Sequence, residues 1–307
     1  MVKEHPLLKG VAYVLLSICI WSGWMVVSRY GVKGTLSSYD ITAIRFGVAG
    51  MILLPVALRR GLSVGPYGIA GGMLLAIMIG APYTNLAIAG MKYAPASHAS
   101  TVINGTLLVL TTIVGIKILR EPTSPLRLIG VACSLLGIIC MLTAKSTSSS
   151  ADQWFGHLLF VISGFMWGTY TLLVRAWKVD AMHTAAAVCV FSMVGYLPLY
   201  LLFAQSHIGL ANWHEVAFQS FYQGLLTGVI ALVSFNTGIR ILGASHAGTF
   251  IPLVPVLSTL LAIPILHEVP SLLEWSGVAA VSTGVFLASG ALNWRPWARK
   301  QCAGETG

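Results

Sequence analysis

Charge is what this sequence has least of. Only 9% of its 307 residues are Asp, Glu, Lys or Arg and 56% are hydrophobic, whereas a soluble domain carries about 25% charge. That excludes a fold with a solvated surface and points to a polytopic membrane protein. Acidic residues are the scarcest. All nine (Glu4, Asp40, Glu121, Asp152, Asp180, Glu215, Glu268, Glu274 and Glu305) fall at expected helix ends, loops or tails. No carboxylate is therefore offered in mid-membrane, which counts against proton-driven antiport through a buried Glu and against an organic-cation pump. Paired cysteines are missing too. The five cysteines show no CxxC spacing, and Cys19, Cys133, Cys140 and Cys189 lie in apolar runs, with Cys302 in the tail. This excludes a disulfide framework and a zinc site, and no metal or cofactor is expected. Basic clusters are lacking as well. The net charge of +9 comes from single Lys and Arg between apolar runs, where they act as topology anchors rather than as a nucleic-acid patch. The run behind Lys3 and Lys9 has no small-residue cleavage site, so it reads as a retained span and not as a signal peptide.

What fills the chain is apolar sequence. A spanning helix takes about 20 mostly apolar residues, and on that ruler ten spans emerge, at 8–29, 38–58, 66–90, 95–118, 125–144, 155–177, 183–204, 217–241, 246–266 and 271–291. The longest polar pieces are 145–152 (KSTSSSAD) and 205–215, too short for a soluble domain. Placing the N-terminus in the cytoplasm puts thirteen of the 18 Lys and Arg inside and leaves Arg29, Lys33, Arg45, Lys92 and Lys145 outside. By the positive-inside rule both termini are expected in the cytoplasm of a bacterial-type inner membrane.

The chain is also a duplication. Gly10, Ser17, Trp21 and Arg29 return as Gly156, Ser163, Trp167 and Arg175 at a constant offset of 146. At offset 148 the fourth and ninth spans open alike, with ASHAST at 96–101 and ASHAGT at 244–249. At offset 147 Gly130 and Gly137 of the fifth span match Gly277 and Gly284 of the tenth, a spacing that favours close helix packing over ligand binding. The expected division is 1–145 for the first half, 146–154 for a linker and 155–307 for the second half with a short tail. Five spans per half is an odd number, so the halves are inverted, an arrangement suited to alternating access. The third and eighth spans do not match, which makes Pro82, Tyr83 and Asn85 against Gln223, Thr227 and Asn236 the place where selectivity enters.

Ten helices in two inverted halves, a mid-helix Trp opening each half, the small-residue starts Ala94-Pro95-Ala96-Ser97 and Gly243-Ala244-Ser245, a Glu closing each of those spans (Glu121, Glu268) and Gly-rich fifth and tenth spans resemble the EamA-type permeases of the drug/metabolite transporter superfamily. The resemblance covers nearly the whole chain. It implies export of small metabolites, amino acids and aromatic ones included. One departure is Pro252 where the first half has Asn104, with Pro255 and Pro264 following, so the ninth span is expected to bend where the fourth is straight.

Candidate site residues follow from the repeated faces. Ser17, Trp21 and Trp24 stack on one face of the first span, and Ser163, Trp167 and Tyr170 repeat it. These rings suit stacking of an organic solute or simple helix packing. Thr101 and Asn104 lie on the polar face of the fourth span, with Tyr83, Asn85 and Asn236 on the unmatched spans. His98 and His246 start matched spans, where an imidazole either carries a proton or caps a helix through its backbone. Glu121 and Glu268 are expected to face the following helix, and Arg29 and Arg175 to sit at helix ends in the interface, all four as structural groups. The sequence thus reads as an all-α integral membrane protein, a monomer whose partners are a small solute and the bilayer. It is not an enzyme, for no Asp/Glu/His cluster has ligand spacing, and it is a facilitative or exchange-like exporter. A non-transporting subunit or lipid-flippase component, or a proton-coupled drug exporter, stands as the alternative.

Overall fold

The computed structural model describes residues 6–118, 120, 123–144 and 152–289, apart from the side chains at 6, 244 and 245. Residues 146–151 of the expected linker (146–154), Glu121 and the tail beyond 289 lie outside the described residues. The first half consists of α1 (Pro6–Lys33), α2 (Ser38–Arg60), α3 (Gly68–Ile79), α4 (Ala81–Tyr93), α5 (Ala96–Lys117) and α6 (Pro125–Thr143). The second consists of α7 (Gln153–Trp177), α8 (Ala181–Phe203), α9 (Trp213–Gln219), a π-helical segment (Ser220–Ile230), α10 (Ala231–Leu242), α11 (Ala244–Gly248), α12 (Leu253–Leu266) and α13 (Leu272–Ala288). Nine of the resulting helical runs are long and apolar enough to cross a bilayer, and the shorter apolar α13 makes the tenth span. The protein is an all-helical, multi-pass membrane protein.

Capping side chains start several of these helices where the sequence puts Ser, Asp or Asn before an apolar run. Ser37 and Asp40 form a capping box at α2, and Ser271 and Glu274 form another at α13. Ser124, Asp180 and Asn212 cap α6, α8 and α9.

The third span is not the single helix expected over 66–90. It breaks at Gly80, whose N–H still donates to the Ala76 carbonyl at 2.9 Å, while Pro82 just beyond has no N–H with which to carry the ladder through. The kink presses on α8. Ser192 Oγ accepts from the Ala81 N–H at 3.1 Å, and a Cβ on Gly80 would be driven into that hydroxyl. The eighth span is irregular too. In its π-helical segment Thr227 Oγ1 donates to the Tyr222 carbonyl five residues back, at 2.9 Å, and Gln219 at the end of α9 and Gln223 within the segment both reach α1. The ninth span does bend, as α11 ends after one turn and Pro252 precedes α12, while α5 is continuous. The two spans without a repeat match are thus the broken third and the π-helical eighth.

The halves interlock. α1 packs against α10 and α12 of the second half, α7 packs against α4 and α5 of the first, and α2 packs against α8. α6 lies along α13 on a glycine seam. A Cβ on Gly137 would lie 2.7 Å from the Gly277 carbonyl oxygen, and one on Gly277 would lie 3.0 Å from that of Gly137. One on Gly130 or on Gly284 would be driven into the carbonyl of the other. Gly130 thus faces Gly284 and Gly137 faces Gly277, so rising numbers meet falling ones and the two repeat-related helices run antiparallel.

Candidate functional site

Three rings from three helices meet inside the bundle. Trp24 of α1 stacks on Tyr83 of α4 at a centroid distance of 6.4 Å and 24° between planes. Tyr83 in turn presents its ring to Trp167 of α7 at 6.1 Å and 64°. The trio therefore joins the two halves. Trp24 is held in place by its indole N–H, which donates to Gln223 Oε1 at 2.8 Å. Gln223 Nε2 donates to Ser28 Oγ at 3.0 Å and to Gln219 Oε1 at 3.2 Å, and Gln219 Nε2 donates to the Val27 carbonyl at 3.1 Å. This chain of amides fixes the indole plane from the end of α9 and the π-helical segment. Over that plane stands Arg45 of α2, its guanidinium carbon 5.2 Å from the Trp24 ring and 5.6 Å from that of Phe46, a cation–π arrangement.

The other expected site residues are distributed as follows. Ser17 is fully buried and donates to the carbonyls of Tyr13 and Ala231, at 3.0 and 2.8 Å, which pins α1 to α10. Ser163 is fully buried and donates to the Leu159 carbonyl at 2.8 Å. Both hydroxyls are occupied in helix contacts rather than facing open space, the usual fate of a Ser that can reach its own preceding turn. Trp21 packs on Phe235 at 4.9 Å, in a cluster with Val14, Ile18 and Val254 that is separate from the one holding Trp24. Tyr170 packs with Leu75, Val188 and Phe191. Thr101 and the buried Asn104 return hydrogen bonds to the Ser97 and Ser100 carbonyls, both at 2.7 Å. Asn85 Oδ1 and Asn236 Nδ2 are buried without a hydrogen-bond partner. His246 lies 2.9 Å from the Leu242 carbonyl through Nδ1.

Buried polar networks close one end of the bundle. Arg29 at the end of α1 pairs with Glu268 at 2.7 Å, the two side chains being 2% and 4% exposed. Arg29 also donates to the Met91 carbonyl, Lys33 lies 3.6 Å from the same carboxylate, and Glu268 Oε2 accepts from the Ala96 N–H at 3.1 Å. Two expectations are corrected here. Arg29 is not an interfacial anchor but a buried ion-pair partner. Glu268 faces the N-terminus of α5 in the other half, not the helix that follows it. Beside this pair His98 Nε2 lies 2.6 Å from Glu274 Oε1, and His98 Nδ1 lies 2.8 Å from His157 Nε2, with the imidazole planes 4° apart. Gln153 reaches both rings at 3.4 and 3.3 Å. His98 is therefore not a backbone cap, and carboxylates that sit at helix ends in sequence are buried in the bundle. At the opposite end Arg60 and Asp180 pair at 2.7 Å, half-exposed. No group of His, Cys, Asp and Glu among the described residues could hold a metal ion.

This architecture has relatives. The model of the EamA-like transporter family matches the chain twice, over residues 8–143 and 154–290. The chain belongs to the EamA-like transporter family. A protein of Archaeoglobus fulgidus described as an uncharacterized transporter is 25% identical over 295 residues, covering 94% of this chain and 97% of that one. YyaM of Bacillus subtilis, also described as an uncharacterized transporter, is 25% identical over 302 residues, covering 92% and 94%. A solved crystal structure superposes with a TM-score of 0.58 at 20% identity, over 91% of this chain and 96% of that one, which shows a shared fold.

In this EamA-like chain sequence reasoning missed Arg45, which it counted among topology anchors. The signal was present. Arg45 lies inside an apolar run rather than between two, and an ionisable residue within a span is a functional candidate by default. Arg29 to Glu268 and His98 to Glu274 join residues 239 and 176 apart in the chain, and no local pattern announces such pairings.

Proposed function

We propose that this protein is a secondary transporter that exports small organic solutes, amino acids with flat side chains among them, by alternating access around the Trp24–Tyr83–Trp167 centre. The single observation behind this reading is that the three rings come from α1, α4 and α7 and so span the contact between the halves. Rocking of one half against the other would open the centre to each side in turn. Stacking on a ring contributes about 0.5–1.5 kcal/mol beyond area burial. In this reading the membrane is a bacterial-type inner membrane and both termini are cytoplasmic. The end closed by Arg29–Glu268 then faces the periplasm. An impermeant thiol reagent added to intact cells should label a cysteine introduced at Ser148, and labelling only after the inner membrane is breached would reverse the orientation.

Flux into liposomes tests the transport reading itself. With a panel of amino acids, Trp167→Ala and Trp24→Ala should lower uptake at least tenfold at unchanged protein content, and Tyr83→Phe or Asn85→Ala should change which solute is preferred. Full activity of both Trp variants would mean that the rings only pack. Flux without an imposed pH gradient should follow the solute gradient, as in facilitative or exchange transport. The buried His98–Glu274 contact favours a second reading, proton coupling, because three hydrogen-bonding groups in line from Glu274 through His98 to His157 could hold or pass a proton. Several-fold accumulation driven by a pH gradient alone, abolished by His98→Gln, would decide for it.

A further inference from the structure

We infer that Arg45 is the anchor for a carboxylate on the transported solute, so that the substrate class is a small organic acid or amino acid whose apolar body lies on the neighbouring rings. This rests on the transport reading above and names the chemistry of its site. Arg45 is the eighth residue of α2, about 10 Å along the axis from the start of that helix at 1.5 Å per residue. Its Nη1 is buried with no hydrogen-bond partner, and no carboxylate among the described residues pairs with it. Four of the described acids are engaged elsewhere, and Glu215, whose Oε1 is buried without a partner, lies beside Gly34 beyond the end of α1. Asp40 on the same helix accepts from the Ser37 N–H and the Tyr200 hydroxyl. Glu268 is held by Arg29 and Lys33, Glu274 by His98 and Ser271, and Asp180 by Arg60.

A guanidinium inside a bilayer needs an anion, carbonyls or water around it, because a bare charge in a low-dielectric medium is unstable. Arg29 meets that need with Glu268 and the Met91 carbonyl. Arg45 has only aromatic faces, which stabilise the cation without using any of its five N–H donors. Those donors form a planar fork that matches the two oxygens of a carboxylate. The fork stands over Trp24, next in line to Tyr83 and Trp167, so a solute whose carboxylate met it would place an adjoining flat group against the rings.

The test uses the full-length protein in liposomes and three radiolabelled probes that share one ring: phenylacetate, L-phenylalanine and phenethylamine. Uptake above protein-free vesicles should favour the two carboxylates over the amine at least tenfold. In Arg45→Gln that preference should fall to near unity, and in Arg45→Lys, which keeps the charge but loses the fork, it should be intermediate. Melting in detergent identifies any variant that fails to fold, and the Lys variant then carries the test. An amine taken up as well as the carboxylates by the unchanged protein, or a preference that survives Arg45→Gln, overturns the anchor while leaving transport standing. Uptake of none of the three, with none inhibiting flux of any amino acid tested, overturns both.

Discussion

Glu268→Ala should be among the most damaging single substitutions in this protein. The carboxylate is buried between Arg29, Lys33 and the Ala96 N–H, and its removal leaves the Arg29 guanidinium enclosed without its carboxylate. Breaking a buried pair from one side costs about 3–5 kcal/mol, because the surviving charge is desolvated without compensation. The expected result is a large drop in melting temperature in detergent and little protein in the membrane. Replacing both partners is a different experiment. Arg29→Met with Glu268→Leu removes both charges and fills the space with apolar groups, a change that is often neutral or stabilising, so the double variant should melt well above the single one. Lys33, 42% exposed, can turn to solvent. The double variant also lacks the tie between α1, α5 and the end of α12, so it should fold yet transport poorly or leak. A double variant no more stable than Glu268→Ala, or a single variant that melts like the unaltered protein, would show that the pair carries no such weight.

The second large effect is expected at the α6–α13 seam, from the smallest possible change. Gly284→Ala puts a methyl group into the Gly130 carbonyl and the Ser134 hydroxyl, and backbone atoms cannot turn aside as the end of a flexible side chain can. Overpacking of this kind costs about 1–3 kcal/mol and sometimes more. Gly195 in α8 supplies the control, since nothing lies within 4 Å of its Cβ position, and Gly→Ala in a helix interior gains up to about 1 kcal/mol through propensity. The same substitution should thus destabilise at 284 and be harmless or helpful at 195. Equal melting temperatures for the two variants would refute the close contact.

These contrasts show which features a sequence can carry. The spans, the duplication and the bend before α12 are written in local pattern: apolar length, repeated spacing and Pro252. The break at Gly80 was half-visible through Pro82. The need for glycine there arises from Ser192 on α8, over a hundred residues away. The π-helical segment has no compositional mark, because Ser220–Ile230 has the mixture of apolar and small polar residues found in other spans, and its Gln223 meets α1 only across the fold. At the candidate site the rings of Trp24, Tyr83 and Trp167 were legible as polarisable surface inside the bilayer. That Trp21 belongs to another cluster was not legible, for Trp21 and Trp24 are three residues apart on one helix face and only the partners Phe235 and Tyr83 separate them. Arg45 was legible in kind, but its lack of a counter-ion is known only once every neighbouring carboxylate has been placed.

The glycine seam carries one more consequence. Since Gly130 meets Gly284 while its repeat counterpart Gly277 meets Gly137, each half offers the other the same patch that it receives, which is the rule of an isologous interface between identical subunits. In the vocabulary of assembly, α6 and α13 form a dimer contact folded into a single polypeptide. The chain between the halves then acts as a tether that raises the effective concentration of one half around the other.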